Sequence, residues 1–154
     1  DQMRLIVPRC QTAWDDYVAA KGGFESVDHR LPSAYPGPAP SAPAEVVAAL
    51  AAGRIPVVAP LAAEPDRGGS LNVNADEAAA ALAVGLGAER IVFVSDVPGV
   101  LLDGAVMGWI GVDDADRMLG DGTFEGGIVP KLVAAVLAVR GGVRASIGAT
   151  EVVA

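Results

Sequence analysis

Lys131 is one of two lysines in the chain, the other being Lys21, and it closes the run Gly126-Gly127-Ile128-Val129-Pro130-Lys131. Pro130 is suited to open a helix, because the N–H it lacks would find no partner in a first turn. A lysine in that turn faces the positive end of the helix dipole, a mismatch of about 0.3–1 kcal/mol that a nearby negative group would offset. Unpaired N–H groups, a Gly-Gly approach and an ammonium together make an anion site suited to phosphate. An exposed lysine at a helix start has the same local appearance, so the run alone leaves both readings open.

A second run, Leu71-Asn72-Val73-Asn74-Ala75-Asp76-Glu77, places two amides around one apolar residue. On extended backbone Asn72 and Asn74 face the same side, and Asp76 follows in the first turn of a helix. Amide donors can hold a substrate carboxylate, and an aspartate can orient lysines or bind magnesium-held water. The plainer reading is an N-cap at Asn74 followed by a dipole-favoured acid. The third run is Ser95-Asp96-Val97-Pro98-Gly99-Val100. Asp, Pro and Gly mark a turn, and a turn at a strand end is where α/β proteins place nucleotide ribose or base contacts.

Elements of short range must position these runs. Ala44 to Ala52 reads as an Ala/Val-rich helix stopped by Gly53, and Ile55 to Leu61 as an apolar strand. Asp66-Arg67-Gly68-Gly69 reads as a hairpin tip. A helix over Ala75 to Leu86 has Ala78, Leu82 and Leu86 on one face and Gly87 as its stop. Ile91 to Ser95 is a buried strand, so strand, helix and strand form a parallel crossover unit with a crevice at its carboxyl ends. A hairpin around Gly104 and an acidic helix near Asp113 to Leu119 follow. Pro130 to Val139 is a helix ended by Gly141-Gly142, with Lys131 second in it, and Val143 to Ile147 and Glu151 to Val153 are two last strands. Residues 1–43 divide into a poorly patterned segment, with Leu5-Ile6-Val7 as a short strand, and a stretch from Pro32 to Pro43 whose five prolines favour extended linker backbone. The expected organisation is that N-terminal segment and a nucleotide-binding domain over 44–154.

The 154 residues carry 11 basic and 19 acidic side chains, a net charge of −8. That balance, without a basic cluster, excludes nucleic acid or an anionic membrane as the main partner, because such binding rests on counterion release by Lys and Arg. One cysteine, Cys10, and one histidine, His29, exclude an internal disulfide framework and a multi-histidine metal site. Mean hydropathy is +0.42, yet the longest apolar stretch, Val46 to Ala63, is broken by Arg54, Pro56 and Pro60 and is no membrane span. No basic region followed by an apolar run opens the chain, so the expected compartment is the cytoplasm. Neither a Walker-type phosphate loop, a dinucleotide fingerprint nor a serine-hydrolase elbow occurs.

Taken in order, Asn72 to Ala79, Gly87-Ala88-Glu89, Ser95 to Val100 and Gly126 to Lys131 resemble the C-terminal half of the N-acetylglutamate kinases of the amino-acid kinase family. Arg54-Ile55-Pro56-Val57-Val58-Ala59-Pro60 is similar to that family's preceding strand, so the resemblance covers roughly 44–142. It implies a three-layer α/β/α sandwich around a mainly parallel sheet, homo-oligomeric assembly, and transfer of the γ-phosphoryl of ATP with Mg2+ to the side-chain carboxylate of N-acetylglutamate. By the same resemblance Asn72 and Asn74 bind the acyl amino acid, Asp76 organises phosphate-binding lysines, and Lys131 contacts the transferring group. Ser95, Asp96, Val97, Gly99, Gly126 and Gly127 then line the nucleotide. A kinase for carrier-bound aminoadipate shares the pattern. A catalytically incomplete nucleotide-binding or assembly module is the other alternative, because the family's first phosphate lysine, its Gly-rich substrate turn and its substrate arginine have no counterpart in residues 1–43. Lys21-Gly22-Gly23 follows a helical pattern rather than a strand. The chain also runs from Ile147 through Gly148-Ala149-Thr150 into its last strand, where the family usually inserts a helix.

Overall fold

The computed structural model describes residues 5–6, 42–63 and 70–154. Cys10, Lys21, His29, the helical pattern around Trp14, most of the proline-rich stretch and the expected hairpin tip at 66–69 lie outside them. Strand β1 (Leu5–Ile6) pairs in parallel with β2 (Val57–Val58), and between them comes helix α1 (Ala44–Ala51). Gly53, at φ +67°, takes the left-handed conformation that ends α1.

The strand expected over 55–61 is shorter than its apolar run. Pro56 and Pro60 bracket Val57 and Val58, and each removes a ladder donor, so Leu61 already belongs to another strand. That strand, β3 (Leu61–Ala63), pairs antiparallel with β4 (Ser70–Asn72), which bears out the hairpin. Among the described residues β2 pairs with β1 and not with the strand after the next helix, so the crossover unit expected there is corrected.

The main sheet is built from later strands. Its order is β5 (Arg90–Phe93), β9 (Arg144–Ile147), β10 (Thr150–Val153) and β8 (Trp109–Gly111). β5 pairs with β9 and β8 with β10 in parallel, whereas β9 and β10 form an antiparallel hairpin. The sheet is mixed but mostly parallel, and the protein is α/β. The real crossovers therefore run from β5 to β9 and from β8 to β10. β8 was absent from the sequence reading, since Trp109-Ile110-Gly111 is too short for alternation to show.

Helices α2 (Ala75–Gly85), α3 (Val112–Gly120) and α4 (Ile128–Arg140) complete the domain. α4 packs on β5, β9 and β10 and is flanked by α2 and α3. Phe93, Ala145, Ile147, Val152 and Ile110 point from the sheet toward Leu132, Ala135 and Val136 of α4 in one core. Each fully buried Leu or Ile of this set contributes about 1.5–3 kcal/mol by leaving water. The buried stripe of α2 is Ala80 and Ala83, while Ala78, Leu82 and Leu86 are only partly covered, which corrects the expected face. The small side chains matter because α2 lies close to the end of α4, where a Cβ on Gly141 would overlap Val84. The opposite face of the sheet stands exposed at Val92 and Trp109.

Between β5 and β8 the hairpin of β6 (Leu101–Leu102) and β7 (Ala105–Val106) turns at Asp103 and Gly104, with φ of +51° and +80°. Two successive positive φ values are what a two-residue hairpin matched to strand twist requires, and Asp-Gly supplies them.

Candidate active site

Asn74 caps α2: its side-chain oxygen accepts the N–H groups of Asp76 at 2.9 Å and Glu77 at 3.1 Å. That cap starts the helix so that Asp76 falls in its first turn. At the other side of the cleft α4 begins two residues earlier than expected, at Ile128, with Gly127 as its N-cap. Pro130 is accommodated as the third residue because the first four N–H groups of a helix have no intrahelical partner. Lys131 is accordingly the fourth residue of α4, not the second.

The two elements bring their charges together. The Lys131 Nζ donates to both carboxylate oxygens of Asp76, at 3.0 and 3.1 Å, across 55 residues of sequence. Their side chains are 24% and 20% exposed, so the pair is shielded without being sealed from solvent. This is the negative partner that a cation at a helix N-terminus calls for. An ammonium has three donors, and two are engaged, which leaves one to reach a ligand oxygen.

The pair opens onto a cleft of about 670 Å³, within the range of small-molecule sites. Ser95, Asp96, Val97 and Gly99 form one wall after β5, and Gly127, Ile128, Pro130 and Lys131 form the α4 wall. Ser95 Oγ donates to Asp96 Oδ1 at 3.2 Å and steadies the loop. Leu101, Thr123, Phe124 and Glu125 also line the cleft and were missed by the sequence reading. Their one signal was adjacency, since Thr123 to Glu125 directly precede the Gly-Gly run. Thr123 is held by Asp121, whose carboxylate accepts both the Thr123 hydroxyl, at 2.5 Å, and its N–H, at 3.0 Å. Those two hydrogen bonds hold the Asp121 carboxyl below its usual range, since they favour the charged form.

Three expected site residues stand outside the lining. Gly126, at φ +69°, makes the left-handed step into α4, and its carbonyl accepts the N–H of Val129. Asn72 is exposed at the end of β4, and the carbonyl oxygen of the Asn74 side chain is taken up by the cap. Among the described residues no group of three or more His, Cys, Asp or Glu is placed to hold a metal ion. No helix among them is long and apolar enough to cross a membrane.

An α/β protein whose cleft joins a strand-end loop, a helix N-terminus and a carboxylate-held lysine can bind an anion and neutralise charge developing on it. The model of the amino acid kinase family matches residues 23–148, and the chain belongs to that family. Acetylglutamate kinase of Roseiflexus sp. (strain RS-1) is 50% identical over 94 residues, which cover 61% of this chain and 35% of that relative. Acetylglutamate kinase of Methanococcoides burtonii is 36% identical over 125 residues, 78% of this chain and 41% of the relative. The chain thus spans well under half the length of these curated relatives. A crystal structure from Streptococcus mutans UA159 superposes with a TM-score of 0.67 at 30% identity, over 71% of this chain and 46% of that one. Carbamate kinase from Giardia lamblia gives a TM-score of 0.58 at 18% identity over 97% of this chain and 56% of that one, a likeness of fold.

Proposed function

We propose that this chain carries the nucleotide half of a carboxylate kinase that transfers the γ-phosphoryl of ATP to the side-chain carboxylate of N-acetyl-L-glutamate. The observation that carries the reading is the Lys131–Asp76 pair lining the cleft, joined to the chain's similarity to acetylglutamate kinases.

Phosphoryl transfer asks a protein chiefly for positioning and charge neutralisation. The attacking group is the carboxylate of the substrate, so no protein nucleophile is needed. In this reading Ser95, Asp96, Val97 and Gly99 seat the nucleotide and the N–H groups at Gly127 and Ile128 face its phosphates. The remaining donor of Lys131 follows charge as it builds on the transferring group. Asp76 keeps that ammonium aimed, and Asn72 and Asn74 hold the acyl amino acid. Gly126 serves by shaping the entry to α4. Magnesium supplies further neutralisation of the phosphates. Besides Asp76, which is paired with Lys131, the carboxylates lining the cleft are Asp96 and Glu125, and these would meet the water shell of an ion carried on ATP. Homo-oligomerisation belongs to the same proposal and is read by sedimentation equilibrium.

Lys131→Ala tests the role directly. Removing one stabiliser of transition-state charge lowers turnover by about 100–1,000-fold in a coupled assay of ADP release. Unchanged turnover would remove Lys131 from the mechanism. Saturable ATP–magnesium binding by calorimetry without ADP release on adding N-acetylglutamate would instead identify a nucleotide-binding module.

A further inference from the structure

Thr150 is the one buried polar residue among those described, with no exposed surface. Burying a hydroxyl is costly unless it is hydrogen-bonded. This one accepts the N–H of Val100 at 2.8 Å and donates to the carbonyl of Met107 at 2.6 Å, reaching back 50 and 43 residues. Valine would fill the same space in a strand without needing either bond.

The place of the hydroxyl is unusual. β6 and β7 are in register as Leu101↔Val106 and Leu102↔Ala105, so Val100 and Met107 are the next opposed residues. The Met107 N–H donates to the Val100 carbonyl at 2.9 Å, one half of an antiparallel hydrogen-bonded pair. The other half would run from the Val100 N–H to the Met107 carbonyl, and the Thr150 hydroxyl stands in that link. It is inserted into the ladder where the 95–100 loop runs into β6, between Gly99 and Leu101 of the cleft lining.

Other contacts make the loop depend on the same corner. Gly99 lines the cleft with its back to Thr150: a Cβ there would lie 2.6 Å from the Thr150 Oγ and 3.0 Å from Val106. The tight turn before Thr150 holds the loop further along, with Gly148 N–H donating to the Phe93 carbonyl at 3.1 Å and Ala149 N–H to that of Pro98 at 2.8 Å. Gly148 sits at φ +53°, and a Cβ there would overlap the Pro98 carbonyl.

We infer that Thr150, which is not in the cleft lining, is a positioning residue that sets the Ser95–Val100 loop in its nucleotide-seating conformation through its hydroxyl. The inference rests on the proposed nucleotide site.

Thr150→Val and Thr150→Ser in the full chain test it. ATP–magnesium affinity is measured by calorimetry, and exchange of the Val100 amide by NMR without nucleotide. The expected result is a protected Val100 amide in the wild type, an affinity about 10-fold weaker in Thr150→Val, and recovery to within about twofold in Thr150→Ser. Wild-type affinity in Thr150→Val overturns the inference, even if its melting temperature falls. So does a wild-type Val100 amide that exchanges like open loop, a reading that needs no variant to fold. A wild type that binds no ATP overturns the nucleotide-site reading instead, while Val100 protection still reports whether the hydroxyl holds the loop.

Discussion

Lys131 and Asp76 stabilise each other because each would otherwise be half-buried without a counter-charge. Asp76→Asn keeps the shape and removes the charge, so the ammonium faces the positive end of α4 without compensation. The expected outcome is a fall in phosphoryl transfer of about 100-fold, read by ADP release, with the protein still folded by circular dichroism. Retained activity would show that Asp76 does not aim the lysine. At this scale the residue types were legible in the sequence: a rare lysine beside Gly-Gly and an acid after a cap are local facts. Their 3.0 Å contact was not, because it spans 55 residues and depends on how α2 packs against α4. Thr150 carried no signal at all, since threonine is an ordinary strand residue and its two partners are remote.

Element boundaries decide where such residues point. Asn74 was legible as a cap because capping is short-range chemistry, and Asn74→Ala should cost about 1 kcal/mol, measured by chemical denaturation. No change in midpoint would mean that the two N–H groups find water equally well. The start of α4 was misread by two residues because Pro130 fits both the first and the third position. The turn at Asp121 to Thr123 links the end of α3 to the cleft and makes a pH prediction. Its folded carboxyl is held low by the Thr123 hydroxyl and then by the Thr123 N–H, so its stabilisation is complete above the unfolded pKa and is lost as pH falls through the depressed value. Thr123→Ala removes the larger cause, and the Asp121 carbon resonance should then titrate at higher pH, still below an unperturbed aspartate. A midpoint that stays put would rule out the hydroxyl as the cause.

At the scale of the molecule, the cleft exists only because β5, α2 and α4 meet. A ligand bound across them stabilises all three together, so ATP–magnesium at 100 times its dissociation constant should add about 2.7 kcal/mol to unfolding, read as a raised melting temperature. No shift at saturating nucleotide would count against a formed site. The sheet shows how far sequence reading extends. The sequence by itself determined the turns and caps, since Gly53, Asp103-Gly104 and Asn74 act through backbone dihedrals and hydrogen bonds within a few residues. It also determined the order of the runs that carry the family resemblance. Tertiary structure decided which strands pair, placing β10 between β9 and β8 and leaving β2 with β1. It decided too that Asp76, Lys131 and the 95–100 loop share one cleft while Asn72, Asn74 and Gly126 stand outside its lining. The physical reason is range: a dihedral preference is a property of one residue, but a ladder, a buried hydroxyl or an ion pair exists only when distant segments are already packed together.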